Sequence, residues 1–139
     1  MKNLLIAILF YLAAAYDGIL GVAFWFIPLR IFTWYGVTPP NHPGYVQFPA
    51  LLLVLFALMF LAVARDPERN RSLIPYGIGL KLSFCGVVFW HWITAGIPGM
   101  WKPFAVADAV MAGLFLWAYC SLLPAQKTDR EAHSPMETS

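Results

Sequence analysis

Four apolar runs dominate this chain: residues 4–27, 47–64, 73–95 and 103–123. Each is close to the ~20 residues an α-helix needs to cross the hydrocarbon of a bilayer. Lipid offers the backbone no hydrogen-bond partners, so a spanning segment must satisfy its own N–H and C=O groups, as a helix does. The rest of the composition agrees. Sixty per cent of the 139 residues are hydrophobic and 12% are charged, whereas a soluble domain is about half apolar and about a quarter charged. The mean hydropathy is +0.68. These features predict an all-α fold, an antiparallel bundle of four transmembrane helices. One membrane domain is expected over residues 1–124, and a polar tail, expected to be disordered, over 125–139. A net charge of +2 is too small to suggest a nucleic-acid partner.

Prolines mark the edges of the spans. Pro28 closes the first, Pro98 follows the third and Pro124 ends the fourth, while Pro49, Pro75 and Pro103 are read as first-turn residues, where a missing N–H matters little. Lys2, the apolar stretch 4–15 and Ala13-Ala14-Ala15 resemble a signal peptide. The apolar run nevertheless resumes at Gly18 and continues to Ile27, so an uncleaved first span is expected. Orientation follows from Lys and Arg. Lys2, Arg65, Arg69, Arg71, Lys127 and Arg130 fall on one side, and only Arg30 and Lys102 on the other. That bias places both termini in the cytoplasm and argues against a dual-topology chain.

Small residues recur at helical spacing: Ala14 with Gly18, Ala50 with Ala57 and Ala64, and Ala105 with Ala109 and Gly113. Such stripes let helices approach closely in lipid. Trp25, Trp34, Trp90, Trp92 and Trp101 map near the outer boundary and read as interfacial anchors. In the longest loop, residues 29–35 suggest a short helix lying in the interface. Cys85 and Cys120 lie in separate spans and read as small buried apolar residues, with no C-x-x-C pair. His42 reads as a loop residue and His133 as a solvated tail residue. No metal site is expected, because the histidines have no diagnostic spacing.

Four ionisable residues lie inside the spans: Asp17, Lys81, His91 and Asp108. A charge at the centre of a membrane helix costs at least ~2.5–3.5 kcal/mol, so such groups face inward and find partners. With a rise of about 1.5 Å per residue, Asp17 and Asp108 both lie about 20 Å above the cytoplasmic boundary. Lys81 starts lower and can reach up to them, and His91 sits just above. Gly77, Lys81, Cys85 and Val88 share one helix face, which His91 and Trp92 continue approximately. The four residues therefore form a candidate polar site in the outer half of the bundle. A purely structural reading has Asp17 and Lys81 paired to fix helix register. A functional reading has the group binding a lipophilic small molecule or relaying protons.

The chain has no zinc-protease motif, no nucleotide-binding glycine loop and no nucleophile elbow. Its plan, and above all Gly77-Ile78-Gly79-Leu80-Lys81-Leu82-Ser83 in the third span, resembles the DoxX-like families of small four-helix bacterial membrane proteins. The resemblance implies a bacterial inner-membrane protein and, in some members, an accessory subunit of a quinone-linked oxidoreductase, with quinone as a candidate cofactor. In other members it implies a membrane-protein assembly factor. Catalytic residues and enzyme status remain open. The other candidate partners are the lipid bilayer, a membrane-protein partner and a second copy of the chain. Asp17 is also similar in placement to the acidic residue in the first helix of small multidrug transporters. That makes a small proton-coupled transporter a third reading, although the charge bias and Lys81 depart from the pattern. Alkaline phosphatase inserted after Asn41 should be active outside the cytoplasm, and the same insertion after Glu68 should be inactive. The reverse pattern would overturn the assigned orientation.

Overall fold

All four apolar runs are helical in a computed structural model, which describes residues 1–123. Helix α1 spans Lys2–Phe26, α2 Pro28–Trp34, α3 Gly44–Arg65, α4 Ile74–Thr94 and α5 Trp101–Ser121. A single 3-10 turn, Arg71–Leu73, precedes α4. Helices α1, α3, α4 and α5 are each long and apolar enough to cross a membrane. Their outward faces carry Leu4, Leu12, Ile19, Leu55, Leu58, Leu82, Val87 and Val110, all exposed. So much contiguous apolar surface suits lipid and not water. The chain is thus a multi-pass membrane protein built as a four-helix bundle. The tail over 125–139, with Lys127, Arg130 and His133, lies outside the described residues, as does Pro124.

The helices alternate in direction, and polar contacts tie their ends. At the terminal end, Lys2 Nζ donates to the Ser121 carbonyl at 2.6 Å and Arg71 Nη1 to the Leu122 carbonyl at 3.1 Å. At the opposite end, Gln47 Nε2 donates to the Trp25 carbonyl at 3.1 Å. The short helix expected in the longest loop appears as α2, which buries Pro28, Ile31 and Phe32 over the end of the bundle opposite the N-terminus.

The bundle consists of two close pairs, α1 with α3 and α4 with α5. The first pair depends on small residues. A Cβ at Gly21 would lie 2.6 Å from the Ala50 carbonyl oxygen, so the two backbones nearly touch there. Ala50, Ala57 and Ala64 are all buried. Between the pairs the helices stand farther apart, and large side chains fill the space. Phe10 stacks on Phe115 with centroids 4.6 Å apart, and Phe60 meets Phe115 edge-on at 5.1 Å. These rings form a plug in the terminal half. Gly77 leaves room for it, since a Cβ there would lie 2.6 Å from the Phe60 ring.

Four expectations are corrected. On α5, Ala109 and Gly113 are exposed; the buried stripe is Ala105, Asp108, Ala112, Phe115 and Ala118, because the ionisable residue sets which face turns inward. Pro49 lies inside α3, not in its first turn. The helix starts three residues early because the Val46 and Gln47 amides donate to the Pro43 carbonyl, while the Gly44 amide donates to His42 Nδ1 at 3.0 Å. Cys120 is exposed. Trp101 is half-buried, with its ring stacked on Phe24 at 6.0 Å, and is not an outer anchor.

The Gly21 contact yields a test. Gly21→Leu should destabilise the detergent-solubilised protein by about 1–3 kcal/mol, the usual range for overpacking. Gly79→Ala, where a Cβ meets nothing within 4 Å, should shift stability by no more than about 1 kcal/mol. Thermal unfolding followed by circular dichroism separates the two.

Candidate functional site

Just above the aromatic plug, the bundle holds a layer of charge. Lys81 lies on the inward face of α4, in line with Ile74, Gly77, Cys85 and Val88, all buried. Its stem rises along the helix and carries the ammonium up to the depth of the two acids. Lys81 Nζ donates to Asp17 Oδ1 at 2.6 Å. It also lies 3.0 Å from Asp108 Oδ1. The second contact is an ion pair that is off the hydrogen-bond direction, and Asp108 Oδ1 has no other partner. The ammonium further sits 5.0 Å from the centre of the Tyr16 ring, on its face. One cation is thus held by α1, α4 and α5 together. Helix α3 adds no charge, but its Ala57 lies beside Gly18, where a Cβ would come within 3.5 Å.

Three of the four candidate residues therefore meet. Lys81 and Asp17 are essentially inaccessible, at 0% and 1%, and the Asp108 side chain keeps 9%. His91 does not join them. It is exposed in the last turn of α4. At 3.6 residues per turn, His91 is rotated roughly 80° from Lys81 around the helix, whereas Trp92 returns to within about 20°. Trp92 takes up that direction, with Lys102 Nζ 4.6 Å from its ring centre. No proton path through His91 is built into this arrangement.

Above the charges lies a cavity of about 320 Å³, at the lower end of the range for small-molecule sites. Asp17, Asp108 and Tyr16 border it below, Phe24 and Trp101 above, and Ala50, Leu53, Leu80 and Phe84 at the sides. Its walls are almost wholly apolar. The α1–α5 side is closed by Tyr16 against Phe104, at 6.5 Å, and by Phe24 against Trp101. Helices α1 and α3 are sealed at Gly21, and α4 and α5 pack as a pair. The cavity is therefore open toward the lipid between α3 and α4, past the exposed Pro49 and Leu52.

Residue types alone did not single out Tyr16. Its hydroxyl is buried and has no partner, as is Asp17 Oδ2. The available signal was its place beside Asp17 in the span, but tyrosine in a membrane helix also reads as an anchor. Cys85 Sγ donates to the Ala105 carbonyl at 3.2 Å, which ties α4 to α5 beside the charged layer. Among the described residues, no group of three or more His, Cys, Asp or Glu gathers where it could hold a metal ion. No family model, curated protein or solved structure matches the chain.

The triad predicts a pattern in stability. Lys81→Met should cost about 3–5 kcal/mol, because it strands buried carboxylates. Adding Asp17→Leu and Asp108→Leu should recover most of that loss, since an apolar replacement of a whole buried charge group is often neutral. His91→Ala should stay within about 0.5 kcal/mol. Midpoints of thermal unfolding in detergent report all three.

Proposed function

We propose that this protein binds a lipophilic small molecule in the cavity between its helix pairs, with the polar head of the ligand at Asp108, Tyr16 and Asp17. One observation carries the reading: an apolar chamber, open on one side, has Tyr16, Asp17 and Asp108 in its lining, and each of these residues carries a buried polar atom with no hydrogen-bond partner inside the protein. Burying such groups unsatisfied is costly. A bound head group would offset that cost, and the apolar walls would accept its tail or ring.

The resemblance of Gly77 to Ser83 to DoxX-like proteins extends the reading to an accessory subunit of a quinone-linked redox system in a bacterial inner membrane, with both termini cytoplasmic. In support, Gly77 and Lys81 of that stretch both serve the layer beneath the cavity: one admits the Phe60 ring, and the other holds the two acids. A second reading is a partner-binding or assembly protein. The exposed Gly79, Ser83 and Gly86, on the α4 face opposite Lys81, favour it, since small residues facing lipid permit close approach of another helix. A cation-exporting role gains less support, because an internal lysine already occupies the acid of α1.

Protein purified in native lipid discs should retain an apolar compound at near-stoichiometric amount, detected by mass spectrometry of the organic extract. Leu53→Trp, which fills the cavity without touching the charges, should remove that compound. Identical extracts from both proteins would count against a ligand in the cavity.

A further inference from the structure

The atoms left over at the base of the cavity define what kind of head group fits there. Two carboxylates share one ammonium. Lys81 spends a hydrogen bond on Asp17 Oδ1, and its approach to Asp108 is off-axis. Asp17 Oδ2 therefore has lone pairs and no donor, and Asp108 Oδ1 is held by the off-axis ion pair with Lys81 and by no other donor. At the base of the cavity the uncommitted donor is the Tyr16 hydroxyl, which can also accept; the Trp101 indole N–H is a second donor, in the ceiling away from the acids. Of the triad, only Asp108 retains exposure, at 9%, so it is the acid an incoming molecule meets. A molecule bearing only acceptors, such as an oxidised quinone, would set oxygen against carboxylate oxygen in an apolar setting.

We infer that the cavity selects ligands whose head is a hydrogen-bond donor, a hydroxyl or an ammonium on an apolar body, and that they enter from the lipid between α3 and α4 to donate to Asp108. This rests on the ligand-binding reading above and narrows it. For a redox lipid it means that the reduced, hydroquinone form is held in preference to the oxidised form. Because two acids share one ammonium, the head group supplies a second positive partner, either as full charge or as the hydrogen end of an O–H bond. A hydrogen bond to a charged group is among the stronger ones, so removing the donor should weaken binding about ten-fold or more.

Calorimetry on the full chain in lipid discs tests this, with empty discs as the blank. The probes are a short-alkyl hydroquinone, its dimethyl ether, the matching quinone and an alkylammonium of similar size. The hydroquinone should bind at least about ten-fold more tightly than the ether or the quinone. Asp108→Asn should shrink that preference. Tyr16→Phe should reduce hydroquinone affinity about two- to ten-fold while keeping the ring, as expected for one uncharged hydrogen bond. An ammonium that outcompetes the hydroquinone also supports the inference and identifies the head as charged. If the ether or quinone binds as tightly as the hydroquinone, and Leu53→Trp abolishes that binding, the donor rule is wrong while the cavity remains a ligand site. If Leu53→Trp changes the binding of no probe, the cavity reading falls and the donor rule with it.

Discussion

A single ammonium ion, buried among two carboxylates and a tyrosine ring, governs how this bundle is assembled. Lys81 on α4 has no stable place in lipid, and neither do Asp17 on α1 and Asp108 on α5. Once they meet, the rotation of all three helices is set to within a fraction of a turn. This matters because the two helix pairs are otherwise joined mainly through aromatic rings, which tolerate sliding. A buried ion pair adds little net stability, since desolvation offsets most of the attraction. Its effect is on specificity: any other register leaves a charge facing hydrocarbon. The charged layer thus selects one packing from many that apolar contact alone would permit.

The same layer divides the interior into two unlike halves. On the terminal side, Phe10, Phe60 and Phe115 fill the space between the pairs. On the other side of the layer the wall contributed by α3 is Val46, Pro49, Ala50, Leu52 and Leu53, with no aromatic ring to fill the gap between the pairs. Phe24, Phe32 and Trp101 close the top, with α2 folded over them. The cavity is therefore a product of side-chain size along α3 and of the aromatic cap above.

Much of this was legible in the residues. Span number, helix ends to within a few positions, the short helix of the longest loop and the meeting of Asp17, Lys81 and Asp108 all follow from length, hydropathy and the energetics of charge in lipid. His91 escaped because a difference of one residue is 100° of rotation, and both 91 and 92 carry polar atoms. Trp101 and Tyr16 escaped because aromatic residues serve equally as interfacial anchors and as cavity walls, and composition does not tell these apart. Ala109 and Gly113 were credited with packing because they continue a spacing from Ala105; Asp108 instead fixes the inward face, about 100° round the helix from Ala109 and about 140° from Gly113. The cavity itself had no signature in the sequence, since it depends on the distance between two helix pairs.

The three packed phenyl rings below the lysine have one more consequence. They fill the bundle on the terminal side of the charged layer, so the cavity above that layer has the form of a cup, with a polar base and its mouth in the wall between α3 and α4. A cup of this kind is not a conduit. A path from one end of the bundle to the other would require the rings of Phe10, Phe60 and Phe115 to part.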